Sequence, residues 1–182
     1  GLSLTCTPAA LSAGLEGQSF TYRDKGPYHI SLLGEYQVRN AAVVLETVNA
    51  LRRRGWELPE EAVVRGLEQA RWPGRMELVR RAPDVILDGA HNPQCMEALA
   101  RALRGLYPGK KPVFLAGVLA DKDWPAMLEE LLPLAQACFT LTPASPRALP
   151  AGTLAEYLTG RSVQAVPCGG LREGLDRALA GK

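Results

Sequence analysis

The fold is decided by the nine residues 85–93, which read Val85-Ile86-Leu87-Asp88-Gly89-Ala90-His91-Asn92-Pro93. The apolar run at 85–87 is typical of a short buried strand. A glycine at 89 allows a tight turn. Asparagine followed by proline is typical of a helix N-cap and its first helical position. The stretch therefore predicts a strand, a sharp turn and a helix in immediate succession.

The same alternation continues to the end of the chain. Further strands are predicted over residues 76–79, 113–118, 138–141 and 162–166, and helices over 93–106, 124–135, 153–158 and 171–179. Parallel strands need crossover connections, and helices of this length supply them. We therefore predict an α/β fold with a Rossmann-like, mostly parallel sheet that has helices on both faces.

A different pattern precedes this region. Residues 18–24 and 28–33 predict a β-hairpin that turns at Lys25-Gly26-Pro27, and residues 7–17 are predicted to be irregular. From Tyr36 onward a helical stripe is predicted at Ala41, Val44, Leu45, Val48 and Leu51, and a second helix begins at Pro59.

The first of these helices ends in a run of three arginines, Arg52-Arg53-Arg54, followed by Gly55. Cations are favourable at a helix C-terminus, where the helix dipole is negative. The run is therefore compatible with a solvated helix end and also with an anion site. The sequence favours the solvated helix end, with the anion site as the alternative.

Composition excludes several classes of protein. The chain has 182 residues, 47% of them hydrophobic, and a formal charge of +2, so neither disorder nor duplex nucleic-acid binding is expected. No apolar run approaches the roughly 20 residues of a membrane span. The four cysteines lie far apart, which favours reduced thiols in a cytoplasmic protein over a metal site. The chain begins at Gly1 without a signal peptide, and we expect it to be a piece of a longer protein.

Chemistry-bearing residues follow the predicted strands, where ligands collect in open α/β sheets. Asp88 can accept hydrogen bonds from two adjacent ribose hydroxyls, or it can satisfy backbone N–H groups of its own turn. His91, in the same turn, suits proton transfer or anion contact, or is a hydrogen-bonded loop residue. Arg75, on a Pro-Gly turn, can clamp a phosphate or pair with Glu77.

Two later strands are also followed by polar loops, at residues 121–123 (Asp-Lys-Asp) and 143–148 (Pro-Ala-Ser-Pro-Arg-Ala). Their shared placement predicts a crevice for a charged ligand. The sequence contains neither a phosphate-cradling G-x-x-x-x-G-K-[ST] loop nor a G-x-G-x-x-G fingerprint. We therefore expect that this chain does not hold or hydrolyse a triphosphate by itself.

Five motifs occur together in order, at residues 34–42, 72–77, 87–93, 121–123 and 145–148. The combination resembles the C-terminal part of bacterial folylpolyglutamate synthases, often bifunctional as dihydrofolate synthases, which belong to the Mur ligase superfamily. The resemblance runs from about residue 18 to the C-terminus. It implies that residues 1–72 are the tail of a preceding ATPase domain with a linker, and that residues 73–182 are the C-terminal Rossmann-like ligase domain.

The resemblance implies an ATP-dependent ligase. ATP phosphorylates a folate or dihydropteroate carboxylate, and the amino group of L-glutamate attacks the acyl phosphate to give an amide. The partners implied are these substrates and the N-terminal ATPase domain, which is expected to supply the P-loop and the Mg²⁺ ligands. No nucleic-acid or membrane partner is implied.

The resemblance also implies roles for individual residues. Gln37 and Asn40 match residues that contact adenine, Arg75 matches an arginine that reaches the ATP phosphates, and Asp88 matches an aspartate on the ribose hydroxyls. Family members usually have histidine where this chain has Tyr36.

His91 matches a histidine near the phosphate and amino-acid end of the cleft, and Ser145 and Arg147 are expected on the glutamate side. Two alternatives stay open. One is another Mur-type amino-acid ligase, acting on peptidoglycan precursors. The other is a stand-alone, non-catalytic module that binds a nucleotide or a protein.

Overall fold

The computed structural model describes residues 7–180. The chain divides into two compact units, one ending at Gly89 and one beginning at Ala90. The domain boundary predicted between residues 72 and 73 stays a prediction.

The first unit opens with a three-stranded antiparallel sheet of β1 (Ala9–Gly14), β2 (Gly17–Tyr22) and β3 (Lys25–Ile30), in that order. Two helices follow, α1 (Glu35–Arg53) and α2 (Glu60–Gln69). The predicted hairpin and both helices are confirmed. The prediction that residues 7–17 are irregular is wrong, because β1 lies within them.

The turn of the hairpin was also placed wrongly. It lies at Arg23 and Asp24, whose φ angles are 50° and 59°, and Tyr22 pairs with Lys25 across it. Two left-handed residues match the twist of a two-residue hairpin, and aspartate tolerates that conformation. Pro27 instead lies within β3, an edge strand, where a missing N–H costs no ladder hydrogen bond.

The core of this unit lies between the sheet and the helices. Its members come from β2, β3, α1 and α2, and they include Phe20, Ile30, Val38, Ala42 and Leu67. Phe20 is 0% exposed, and burying a side chain of this size contributes about 1.5–3 kcal/mol. The predicted stripe on α1 is confirmed at Ala41 and Leu45, whereas Val44 is 47% exposed.

The first unit ends with a short antiparallel pair, β4 (Glu77–Arg80) and β5 (Val85–Leu87). Both strands were predicted. Their placement in the mostly parallel sheet is wrong, because within the described residues they pair antiparallel with each other and form a sheet of their own.

The second unit contains the parallel sheet. Its elements are α3 (Pro93–Leu106), β6 (Val113–Ala116), α4 (Trp124–Glu129), β7 (Ala137–Thr140), α5 (Ala151–Thr159), β8 (Gln164–Pro167) and α6 (Leu171–Ala180). The strands β6, β7 and β8 are parallel and lie in that order. This confirms the predicted α/β fold. The helix predicted over 124–135 ends at Glu129, and a single 3-10 turn, Leu132–Leu134, follows around Pro133, which lacks the N–H that an α-helix interior needs.

Helices cover both faces of this sheet. Phe114 and Ala116 pack against the main core, to which α3, α4 and α5 contribute Met96, Met127 and Leu154. Leu115 points the other way, because alternate strand residues face opposite sides. A Cβ added at Gly174 of α6 would lie 2.6 Å from Cδ1 of Leu115, so α6 packs closely on that second face. Within residues 7–180, no helix has the length and apolar character needed to cross a bilayer.

Candidate functional site

Two loops of the first unit are joined by backbone hydrogen bonds next to β5. The N–H of Gly89 donates to the carbonyl of Gly74 at 2.8 Å, and the N–H of Met76 donates to Oδ2 of Asp88 at 2.9 Å. The turn that carries Arg75 is therefore fastened to the turn that carries Asp88. The structure brings together these two predicted site residues, which are 13 positions apart in the sequence.

The turn around Arg75 has a constrained backbone. Gly74 has φ 70° and Met76 has φ 46°, which is uncommon for a residue with a side chain. Met76 is 1% exposed, and its N–H is satisfied by Asp88, so burial and a charge-assisted hydrogen bond together stabilise this conformation. Conformations of this kind cost about 1–3 kcal/mol and occur often at functional sites.

The Arg75 guanidinium is available for a ligand. Glu77 does not pair with it. Instead, Oε2 of Glu77 accepts the N–H of Gly74 at 2.8 Å. Among residues 7–180, Arg75 forms no ion pair with a carboxylate. A Cβ added at Gly89 would lie 4.0 Å from Nη1 of Arg75. The guanidinium therefore lies beside the Asp88–Gly89 turn.

Asp88 is half-buried and directly follows β5. The sequence left open whether its carboxylate serves the turn or a ligand. Its Oδ2 does serve the turn, through Met76. Because a carboxylate has about four acceptor positions on two oxygens, the contact with Met76 is compatible with a hydroxyl donor as well. The contact with ribose therefore stays a prediction.

Gln37 and Asn40 lie near the start of α1. The Nδ2 of Asn40 donates to Oε1 of Gln37 at 2.9 Å, and Asn40 is exposed whereas Gln37 is 4% exposed. The two amides therefore form one unit in which Asn40 faces solvent. Their contact with adenine stays a prediction. Tyr36 packs against the backbone at Gly34, where an added Cβ would lie 2.6 Å from its Cε1.

A residue that sequence reasoning missed holds the start of α1. Gln18 is 4% exposed, and its Nε2 donates to the carbonyls of Leu32 (2.7 Å) and Gly34 (2.9 Å). Gly34 is the N-cap of α1 and has φ 94°. Gln18 therefore positions the helix that presents Gln37. The sequence signal for this role was a polar residue, Gln18, in a predicted strand of aromatic and β-branched residues.

The second unit brings together the loops that follow β6 and β7. Nη1 of Arg147 and Oδ2 of Asp121 form an ion pair at 2.7 Å, and the N–H of Ala120 donates to the Arg147 carbonyl at 2.7 Å. An antiparallel bridge joins Leu119 and Ala148. The N–H of Arg147 also donates to Oγ of Ser145 at 3.2 Å. The two polar loops therefore meet, as neighbouring parallel strands predict.

His91 lies near the start of the second unit and is exposed. It directly precedes Asn92, whose Oδ1 accepts the N–H of Cys95 at 2.8 Å. The N-cap predicted at Asn92, with Pro93 in the first helical position, is confirmed. The cap fixes the backbone of Asn92, the residue next to His91. Its role at the phosphate or amino-acid end stays a prediction.

The described residues do not form a metal centre: over residues 7–180, no group of three or more His, Cys, Asp or Glu side chains is placed to hold an ion. The prediction that magnesium ligands lie in another domain stays a prediction. The guanidinium of Arg75 and the carboxylate of Asp88 suit a nucleotide better than a metal ion, since a guanidinium binds phosphate and a carboxylate accepts from hydroxyls.

Comparison with known proteins decides the family. The model of the Mur ligase glutamate ligase domain matches residues 74–182. The chain belongs to the Mur ligase family. Arg75, Asp88 and His91 lie inside the matched segment, as do Ser145 and Arg147, whereas Gln37 and Asn40 lie before it.

Curated relatives in this family include two kinds of ligase. The folylpolyglutamate synthase of Lacticaseibacillus casei is 36% identical over 141 residues, which cover 74% of this chain and 32% of that protein. A UDP-N-acetylmuramoyl-L-alanyl-D-glutamate–2,6-diaminopimelate ligase of Thermosynechococcus vestitus is 33% identical over 117 residues, covering 62% of this chain and 22% of that protein. The chain therefore spans about a third or less of the relatives it matches.

Solved Mur ligases have the same fold over nearly the whole chain. The folylpolyglutamate synthase of Mycobacterium tuberculosis, complexed with ADP, aligns with TM-score 0.83 and 30% identity over 96% of this chain and 39% of that one. A bifunctional folylpolyglutamate synthase/dihydrofolate synthase of Yersinia pestis, complexed with AMPPNP and Mn, aligns with TM-score 0.71 and 26% identity over 91% of this chain and 38% of that one.

Proposed function

We propose that this chain is the C-terminal portion of an ATP-dependent ligase that adds L-glutamate to folate. One observation carries the proposal: two turns joined by hydrogen bonds hold the guanidinium of Arg75 beside the Asp88–Gly89 turn, in a chain of the Mur ligase family. A cation and a carboxylate on joined turns suit a nucleotide, whose phosphates and ribose hydroxyls need one of each.

The reaction proceeds through an acyl phosphate. A folate carboxylate oxygen attacks the γ-phosphorus of ATP and ADP leaves. The amine of glutamate then adds to the acyl carbon, loses a proton and expels phosphate to form an amide. Arg75 stabilises the negative charge that moves through the phosphoryl group, and such fixed donors are worth about 10²–10³ in rate.

The other residues orient the reactants. Asp88 binds the ribose hydroxyls, while Gln37 and Asn40 bind adenine through amides that both donate and accept. His91 contacts the phosphate or the attacking amine. Ser145 and Arg147 bind the carboxylates of glutamate, with Arg147 supplying the charge.

Part of the machinery lies outside this sequence. The sequence contains no P-loop, and the described residues form no metal site, and we propose that a further domain supplies the phosphate cradle and the ligands of the divalent ion. Mn accompanies the nucleotide analogue in the Yersinia pestis relative, which supports a divalent ion here, and we propose Mg²⁺. We also propose that the protein acts in the cytoplasm.

The test uses the full-length protein and labelled L-glutamate. We expect ATP-dependent incorporation of glutamate into tetrahydrofolate, and a parallel reaction with dihydropteroate reports whether dihydrofolate synthase activity is also present. A UDP-muramyl dipeptide with diaminopimelate serves as the competing pair, because the Thermosynechococcus vestitus relative favours that second candidate. Turnover of the muramyl pair alone would replace the proposed function.

A second measurement addresses the chain itself. We expect the purified 182-residue chain to hydrolyse ATP no faster than buffer, because it lacks a phosphate cradle. Steady hydrolysis that co-purifies with the chain and disappears in Arg75→Ala would contradict this expectation. The same hydrolysis would favour an autonomous nucleotide-processing module.

A further inference from the structure

A second candidate site lies in the first unit, on a surface that the proposed ligase chemistry does not use. A pocket of about 480 Å³ opens between the β2–β3 turn and the C-terminal half of α1. Its lining includes four cationic side chains, Arg23, Lys25, Arg52 and Arg53, against one carboxylate, Glu60. We call it the cationic pocket.

The carboxylate is already occupied. Oε2 of Glu60 pairs with Nη1 of Arg52 at 2.9 Å, and Oε1 accepts the Tyr28 hydroxyl at 3.1 Å. Arg52 is also anchored through its Nε, which donates to the Leu58 carbonyl at 2.8 Å. This pair is therefore a fixed wall of the pocket. Its charges compensate each other, and the excess charge comes from the remaining cations.

The remaining cationic side chains differ in whether they form an ion pair. Nε of Arg23 pairs with Oε1 of Glu46 at 2.9 Å. In the part of the chain from 7 to 180, the side chains of Lys25 and Arg53 form no hydrogen bond or ion pair, and both residues are exposed. Even with Glu46 counted against Arg23, the pocket keeps an excess of two positive charges.

The floor of the pocket supplies a further polar group. Tyr22 lines it and is 3% exposed, and its buried hydroxyl lies beside the side chains of Glu46 and Arg23. Asn49, also in the lining, adds an amide donor.

The cationic pocket is distinct from the residues assigned to adenine. Asn40 and Arg53 are 13 residues apart on α1, which corresponds to about 20 Å along the helix axis at about 1.5 Å per residue. A nucleotide held at Asn40 by its base would have to extend along the entire remaining helix to reach Arg53. The pocket and the residues assigned to adenine are therefore separate places on α1.

We propose that the cationic pocket binds a compact, multiply charged anion that carries phosphate or carboxylate groups. Lys25 and Arg53 bind its outer charges from opposite sides, one on the strand and one on the helix, while the Asn49 amide donates from within. This explains the arginine run at the end of α1 as a binding feature at Arg53, while Arg54 remains a solvated helix end. The proposal does not depend on the ligase activity.

The experiment titrates the 182-residue chain with two probes, tripolyphosphate and γ-linked triglutamate, by calorimetry and by amide chemical shifts in a ¹⁵N spectrum. We expect saturable binding of at least one probe, with shifts concentrated at Asn49 and Arg53. Tighter binding of tripolyphosphate identifies a phosphate ligand, and tighter binding of triglutamate identifies a carboxylate ligand.

Substitutions locate the binding. Arg53→Ala and Lys25→Ala should each weaken it about five- to tenfold, which corresponds to the loss of one charge-assisted contact. Arg54→Ala is the matched control, because Arg54 is exposed, adjacent and equally charged but does not line the pocket. Both tested side chains are exposed and unpaired, so the variants should fold, and circular dichroism checks this. Absence of saturable binding, or equal weakening by Arg54→Ala, would overturn the proposal.

Discussion

The carboxylate of Asp88 accepts the backbone N–H of Met76 at 2.9 Å, directly beyond the Glu77–Leu87 pair of β4 and β5. This single contact has two consequences. It stabilises a buried residue at φ 46°, and it holds the neighbouring Arg75 beside Gly89. The structural interpretation of Asp88 and the ligand interpretation are therefore compatible, because one contact prepares the site for the other.

The two roles of Asp88 can be separated by substitution. Asp88→Ala should lower the free energy of unfolding by about 1–2 kcal/mol, since it leaves the Met76 N–H without its acceptor. Asp88→Asn keeps an acceptor oxygen and should lose less than half as much. Urea unfolding of the chain at pH 7 measures both, with the exposed Asp176→Ala as control. Equal losses in the Ala and Asn variants would show that the hydrogen bond does not stabilise this turn.

Gln18 should matter as much for stability as a core residue. Gln18→Ala leaves the carbonyls of Leu32 and Gly34 without their donor in a buried setting, and we expect a loss of about 1–3 kcal/mol. Thermal unfolding followed by circular dichroism measures the change. The exposed Gln69→Ala, on α2, should stay within about 0.5 kcal/mol of the original chain. A loss no larger than that of this control would refute the positioning role.

Arg147 should be dispensable for folding but needed for glutamate. Its pair with Asp121 is exposed, with side-chain exposures of 60% and 44%, so Arg147→Ala should cost about 0.5 kcal/mol or less in stability. In the full-length enzyme we expect the KM for glutamate to rise about tenfold, the equivalent of one lost charged contact, while the KM for ATP stays unchanged. Arg101→Ala removes a comparably exposed arginine from the pair with Glu97 and should change neither constant.

Cys138 should be inert to thiol reagents. Burial, with a smaller contribution from Cys168, raises its pKa to about 12. At pH 8 its thiolate is therefore negligible, and Ellman's reagent should react with the half-buried Cys95 well before Cys138. Rapid modification of Cys138 in the folded chain would contradict the packing of β7.

The same shift has a consequence for stability at high pH. The unfolded thiol ionises near pH 9 whereas the folded one does so near 12, so the unfolded state releases the proton first. The stability associated with Cys138 is present below pH 9 and is lost as the pH rises toward 12. Urea unfolding at pH 8 and pH 10.5 should show this loss, and Cys138→Ala should reduce its slope.

Much of the fold could be predicted from local signals. The helix Pro93–Leu106 was predicted with its observed bounds, because Asn92 and Pro93 mark its start chemically. The strands β6, β7 and β8 were predicted because apolar runs between helices leave little alternative. The strand β1 was missed, because its residues, Ala9–Gly14, are small and exposed and its existence depends on hydrogen bonds to β2.

The site was predictable only as a set of residues. Gly-rich turns at 74 and 89 indicated where chemistry could lie, but the hydrogen bond from Met76 to Asp88 joins two loops that no local pattern connects. The sequence left a pair between Glu77 and Arg75 open, whereas Glu77 accepts the N–H of Gly74. Sequence spacing does not show in which direction a side chain points. The pair between Arg147 and Asp121 depends on the parallel register of β6 and β7.

The most direct test concerns Arg75 in the full-length enzyme. Glutamate incorporation into folate and the Kd for ATP are measured for the original protein, for Arg75→Ala and for the exposed control Arg80→Ala. If Arg75 stabilises the transferring phosphoryl group, kcat falls about 10²–10³-fold in Arg75→Ala while the Kd for ATP changes only a few-fold. A kcat for Arg75→Ala that matches that of Arg80→Ala would contradict the account.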